Sequence, residues 1–137
     1  MVYRGLVRPA LFALPPERAN KLGELAFRAP LLWGAARPWL SPADTALRIT
    51  LASMELPFPV GAAAGIDKDC RFLGSLLDIG FGFATGGTVT LSQRPGNPKP
   101  RLLRDPARQA VINAMGFPGA GLDLAERRLR ALGDRRA

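Results

Sequence analysis

Apolar residues recur every three or four positions along the first turns of the chain, at Val2, Tyr3, Leu6, Val7, Ala10, Leu11 and Leu14. That period predicts a helix over residues 2–14, flanked by Arg4 and Arg8, kinked at Pro9 and stopped by Pro15-Pro16. A second helix is expected over residues 17–28, with Pro16 at its start and Ala19, Leu22, Ala26 and Phe27 along one side. Leu31, Leu32, Trp33 and Trp39 follow, bounded by Pro30 and Pro38. Two readings explain this apolar stripe. A basic helix with an apolar face and nearby tryptophans suits a membrane interface. Two stripes packed together, or onto the next domain, give the same spacing, and the pattern by itself favours packing.

Residues 41–57 are small and polar and end at Pro57, which reads as a linker with a short strand around residues 47–51. The pattern then changes. Apolar runs over 58–64 and 81–89 predict buried strands, separated by a helix over 69–79. Asp69 near that helix's start and Gly80 after its end are the boundary signals. A proline-rich basic loop covers 90–101 and a final helix 120–132. Between them, residues 101–104 and 110–115 are placed to pair as short strands across a turn at Asp105-Pro106. Strands alternating with a helix argue for a parallel sheet. Three segments result: a helical platform (1–40), a linker (41–57) and strand-helix units (58–137).

Composition narrows the chemistry. A chain of 137 residues with 47% hydrophobic and 22% charged residues is long enough for one folded unit. Its 15 Gly and 13 Pro favour turns over a helical bundle. The absence of His and the single Cys argue against a zinc site, an internal disulfide, and any nucleophile–imidazole pair within this chain. Chemistry here rests on Lys, carboxylates, hydroxyls or a cofactor. The net charge of +8 suits anionic partners. The basic residues are spread out except for Arg127, Arg128, Arg130, Arg135 and Arg136, and no aromatic-basic motif accompanies them, so nucleic acid is not the expected partner. No apolar run approaches the ~18 residues of a membrane span, and residues 10–14 are too short for a signal-peptide core of ~7 to 15 residues.

The candidate chemistry lies at the strand ends. The stretch Gly61-Ala62-Ala63-Ala64-Gly65-Ile66-Asp67-Lys68 is a small-residue strand that exits into an acid and a cation. The second strand exits through Gly86-Gly87-Thr88-Val89-Thr90. Sites in parallel sheets form at the carboxyl ends of strands. Two such ends side by side suit a flat, phosphate-bearing ligand, with Lys68 supplying charge and the Gly86–Thr88 turn offering backbone amides. A Lys68–Asp67 pair decorating a loop is the plainer alternative. Asn113-Ala114-Met115-Gly116-Phe117 offers an amide against an apolar wall, or simply a turn. Cys70, read as part of the helix after Lys68, is taken as a packing residue.

Taken together, five stretches resemble the quinone-dependent (class 2) dihydroorotate dehydrogenases, in that family's order. They are Tyr3…Arg8-Pro9-Ala10-Leu11-Phe12 with Pro16-Glu17-Arg18-Ala19; Pro59-Val60-Gly61 through Lys68; Gly80-Phe81-Gly82-Phe83…Gly87-Thr88-Val89-Thr90; Pro95-Gly96-Asn97-Pro98-Lys99-Pro100-Arg101-Leu102; and Ile112-Asn113…Met115-Gly116-Phe117. The resemblance implies an α/β fold, the first part of a TIM (β/α)8 barrel preceded by the platform, with the barrel incomplete in this chain. It implies FMN as cofactor, lined by Ala64, Gly65, Ile66, Asp67, Lys68 and Thr88, and a dihydroorotate (orotate) floor made by Lys68, Asn113, Ala114, Met115, Gly116 and Phe117. It turns the platform reading toward a peripheral membrane surface and a quinone entrance, on the cytoplasmic face of the inner membrane. The family commonly has Arg where Ala114 stands and Asn where Pro118 and Gly119 stand. Its Ser base belongs to a later segment, so no catalytic residue is expected here. The resemblance therefore implies part of an oxidoreductase of pyrimidine synthesis, inactive alone, with a separate chain as one way of completing the barrel. The alternative is a non-catalytic membrane- or partner-binding module.

Overall fold

The computed structural model describes residues 2–41 and 44–133. Met1 of the platform segment, Pro42 and Ala43 of the linker, and Arg135 and Arg136 of the terminal arginine cluster lie outside the described residues.

The first helical stretch is a wide π turn, Tyr3–Val7, running into α1 (Arg8–Phe12). Pro9 does not break it. The wide turn ends with the Arg8 amide bonded to the Tyr3 carbonyl, which leaves Pro9 in the first turn of α1, where a missing N–H costs nothing. The next helix, α2 (Pro16–Phe27), begins where Pro16 predicts. Its inward stripe differs from the expected side. Ala19 is buried and Phe27 packs on the core, whereas Leu22 and Ala26 are exposed. A third helix, α3 (Pro30–Leu40), occupies the stretch read only as bounded by prolines. Pro30 starts it, and Pro38 sits within its last turn. The Trp33 indole donates to the Ala26 carbonyl at 2.9 Å, which folds α3 back on the end of α2.

After a short 3₁₀ turn, Thr45–Leu47, capped by Asp44, the linker forms an antiparallel hairpin of β1 (Ile49–Leu51) and β2 (Met54–Leu56). Ala52 and Ser53 both adopt positive φ at its two-residue turn. The expected parallel pair is present as β3 (Gly61–Ala62) and β4 (Phe83–Ala84), joined in register Gly61 to Phe83 and Ala62 to Ala84. Both are much shorter than the apolar runs, because proline and glycine interrupt the ladder on either side. Backbone bonds still run on beyond them, from Gly82 N to Val60 O and from Gly65 N to Gly87 O.

Between these strands, α4 (Leu73–Asp78) starts four residues later than expected. Asp67, not Asp69, receives the amides ahead of it, those of Arg71 at 2.8 Å and Phe72 at 2.6 Å. Cys70 is accordingly in a turn at positive φ rather than in the helix. The pairing of residues 101–104 with 110–115 appears as the hairpin β5 (Leu102–Asp105) and β6 (Ala110–Asn113). Its turn is held by Asp105, which accepts from the Arg108 amide and guanidinium; that pairing holds the Asp105 carboxyl below its ordinary range. The last helix, α5 (Leu122–Leu132), begins after Gly121.

Ala62, Cys70, Phe72, Leu73, Leu76 and Ala125 make the buried core, with Phe27, Phe81, Ala84, Val89 and Leu132 packed around it. The core thus draws on β3, α4 and α5, and is closed by the end of α2, where the Phe27 ring stacks on Phe72 at 5.4 Å. Arg104 of β5 ties α1 down by donating to the Leu11 and Leu14 carbonyls at the helix's end. No closed barrel forms among the described residues: the parallel sheet has two strands.

Candidate ligand cleft at the strand ends

The carboxyl ends of β3 and β4 lie side by side because Gly65 donates to the Gly87 carbonyl at 2.7 Å and Gly87 donates back to the Asp67 carbonyl at 3.0 Å. The Gly87 amide is therefore taken, so within the Gly86–Thr88 turn it is not one that is free to meet a phosphate. Asp67 turns inward, 1% exposed, with its carboxylate on the Arg71 and Phe72 amides. Lys68 turns the other way, and its ammonium donates to the Gly65 carbonyl at 2.8 Å. The plainer reading, a Lys68–Asp67 surface pair, is thereby replaced by two residues with opposite tasks.

Gly65 and Lys68, with Thr88, face Asn113, Ala114, Met115, Gly116 and Phe117 across an open cleft of about 520 Å³. Asn20 of α2, Leu102 and Pro118 complete its lining. Among the described residues Lys68 is its one charge, and no carboxylate lines it. An ammonium has three donors, of which one is used on Gly65, so Lys68 keeps capacity for an anion in the cleft. Asn113, at the end of β6 rather than in a turn, has no side-chain hydrogen bond among the described residues and faces the same space. Gly65 has φ +99° and open space where a side chain would stand, so a flat group meets bare backbone there.

Ile66 and Asp67 line a neighbouring cleft of about 310 Å³ instead, which Lys68 borders as well and which is walled on its far side by Glu17, Asn20, Lys21 and Glu24 of α2. Ala64 is exposed beside Gly65 but lines neither cleft. The structure thus gathers Gly65, Lys68, Thr88 and residues 113–117, and sets Ala64, Ile66 and Asp67 apart from that group.

The far wall is braced from behind. The Asn97 amide nitrogens, backbone and side chain, donate to the Met115 and Ala114 carbonyls at 3.0 and 2.9 Å. Gly116 sits at φ +71° with Asn97 so close that a Cβ would lie 2.5 Å from its Oδ1. Asp69 joins the near side to the start of α5, accepting from the Ala120 amide at 2.8 Å and pairing with Arg71 at 2.8 Å. Cys70, behind this loop, is buried, and burial raises its thiol above the ordinary value, as do Asp67 and Asp69, against the opposing charge of Arg128.

Sequence reasoning missed Asn20, Leu102 and Pro118 as lining residues. For Asn20 a signal exists: Glu17, Asn20, Lys21 and Glu24 form a polar stripe at helical spacing, beside the Ala19 and Phe27 side that α2 turns inward.

A parallel strand pair bridged by a helix, with a cleft at the carboxyl ends, is the unit of a (β/α)8 barrel, and the solved structures it resembles agree. A DHODH from Eimeria tenella in complex with ferulenol matches with TM-score 0.65 and 37% identity, over 82% of this chain and 32% of that one. A ligand-free DHODH from the same organism matches with TM-score 0.64 and 36% identity, over 78% of this chain and 32% of that one. Residues 46–137 fit the family model for dihydroorotate dehydrogenase. A dihydroorotate dehydrogenase (quinone) of Erythrobacter litoralis is 48% identical over 127 residues, 92% of this chain and 35% of the relative. One of Acidithiobacillus ferrooxidans is 48% identical over 132 residues, 93% of this chain and 36% of the relative. The chain belongs to the dihydroorotate dehydrogenase family, and spans about a third of the length of the curated relatives it matches.

Proposed function

We propose that this chain supplies one wall of the FMN and dihydroorotate site of a quinone-dependent dihydroorotate dehydrogenase, and that α1–α3 form a platform on the membrane surface. The observation that carries the reading is a cleft at two parallel strand ends with one cation, Lys68, and no acid in its lining. Dihydroorotate and orotate are small ring anions, orotate a flat one. Lys68 would meet the substrate carboxylate, and the Asn113 amide would both donate to and accept from the ring. Met115, Phe117 and Pro118 give the apolar floor, and water is thinned there as the ring seats. Gly65 and Thr88 fit the edge of a flavin: bare backbone on one side, a hydroxyl on the other. Ala64 would extend that edge as an exposed neighbour, while Ile66 and Asp67 would support it through the backbone of the loop.

When bound, FMN supplies the acceptor for the hydride that leaves the dihydropyrimidine ring, its electrons passing afterwards to a quinone. The ring also loses a proton, and that step needs a base beyond this wall; the cleft lining holds no carboxylate, imidazole or serine. Turnover is accordingly assigned to a complete barrel, and this chain to binding and orientation. The peripheral placement draws on the exposed Leu6, Leu31 and Trp39, the last two 89% and 82% exposed, beside the cations Arg4 and Arg8. No helix among the described residues is long and apolar enough to cross a membrane.

The test is an orotate titration of the isotope-labelled chain followed by NMR. Amides of Gly65, Lys68 and residues 113–117 should shift together while those of α5 stay. Lys68→Ala should weaken the interaction roughly ten- to a hundredfold, the worth of one charge-assisted contact. Orotate that moves no cleft amide at millimolar concentration overturns the reading.

A further inference from the structure

Glu17 near the start of α2 and Arg101 at the end of the proline-rich loop do not line the cleft of about 520 Å³, yet they meet. The Glu17 carboxylate accepts the Arg101 backbone amide at 3.0 Å, across 84 residues of sequence. Its other oxygen lies 3.7 Å from the Lys99 ammonium. On its far side, the Arg101 carbonyl accepts the Ala114 amide at 2.9 Å. One residue therefore stands between a helix of the platform and the wall of the cleft, held by both.

The Arg101 side chain tightens the same junction. Its Nη1 donates to the carbonyls of Pro95 at 2.9 Å and Asn97 at 3.2 Å, and more loosely to that of Met115 at 3.4 Å. Asn97 in turn holds the Ala114 and Met115 carbonyls. Every backbone group of Ala114 and the carbonyl of Met115 are thus fixed by Arg101 or by a residue that Arg101 fixes. Glu17 is the only one of these partners that comes from outside the loop and the hairpin.

We propose that Glu17 is a positioning residue: acting through Arg101, it sets the placement of the Ala114–Gly116 backbone in the cleft, so that the seat of α2 governs the shape of the wall. The consequence for ligand binding rests on the reading of that wall as a substrate floor; the positioning itself does not. A carboxylate in this place offsets one half-exposed ammonium and accepts one backbone amide, and the amide contact is part-buried, where a lost acceptor is not fully replaced by water.

Amide hydrogen exchange of the whole chain, read by NMR, tests this. Glu17→Ala should speed exchange at Arg101 and Ala114 by about tenfold relative to Leu76 in the core. Glu17→Gln keeps an oxygen acceptor for the Arg101 amide and should stay within about threefold of the parent at both positions. The proposal is overturned if Glu17→Ala leaves Arg101 and Ala114 unchanged, if Leu76 accelerates equally, or if the Gln variant exchanges as fast as the Ala variant. Orotate that fails to shift the parent's cleft amides counts against the substrate reading alone, because the exchange comparison needs no ligand.

Discussion

Asp67 and Lys68 are neighbours in sequence with opposite surroundings, and the difference decides their roles. The Asp67 carboxylate is withdrawn from water and saturated by the Arg71 and Phe72 amides, so it organises the turn into α4. Removing it strands two part-buried or buried donors. Asp67→Ala should cost about 2–4 kcal/mol of stability, measured by urea unfolding, and Asp67→Asn less, because one acceptor oxygen remains. A loss under about 1 kcal/mol would mean that water reaches those amides. Lys68, by contrast, has spare donors and faces the cleft, so Lys68→Ala should leave the unfolding midpoint nearly unchanged while weakening orotate. The acid and the cation were legible in the sequence, with Lys68 as the charge offered to a ligand; the inward turn of Asp67 was not, since both belong to one short loop with no period to assign a face.

At the level of elements, the helices followed the rules of capping and period more closely than the strands followed apolar runs. Pro16 starts α2 and Pro30 starts α3 as first-turn prolines do. The runs over 58–64 and 81–89 contract to β3 and β4, because their glycines and prolines break the ladder even where the composition is apolar. One of the joins between platform and core is a ring. Phe27 lies between Phe72, stacked at 5.4 Å, and Trp33 at 6.2 Å. Phe27→Ala removes a partly buried ring and should cost about 2–3 kcal/mol, at or below the lower end for aromatic truncations. The same variant should raise Trp33 fluorescence sensitivity to quencher, as the indole loses its neighbour; an unchanged unfolding midpoint would show that α2 and α3 do not share the core's stability.

For the whole molecule, the distribution of apolar surface is the main fact. The buried core is small, and Val2, Leu6, Leu31 and Trp39 stand in the open on the α1–α3 side. These exposed side chains, with Arg4 and Arg8 flanking Leu6 in sequence, should bind vesicles containing anionic lipid, and salt should weaken the binding. In co-sedimentation, the intact chain should pellet with those vesicles, and so should Lys68→Ala. Replacing Leu6, Leu31 and Trp39 together by polar residues should release the chain; pelleting that survives this change would place the contact elsewhere. Sequence alone determined the start of α2, the parallel strand pair, the β5–β6 hairpin and the stretches at which a cleft forms, because these follow from period, proline and glycine; α3 and the β1–β2 hairpin were not among them. Tertiary structure alone decided that α2 buries Ala19 and Phe27 rather than Leu22 and Ala26, and that Asp67 turns in. It also decided that Glu17 reaches Arg101 and that Asn20 joins the cleft. The Glu17 contact spans 84 residues and no local pattern carries that information, whereas Asp67 is turned in by amides four and five residues on, within a loop that has no period to assign a face.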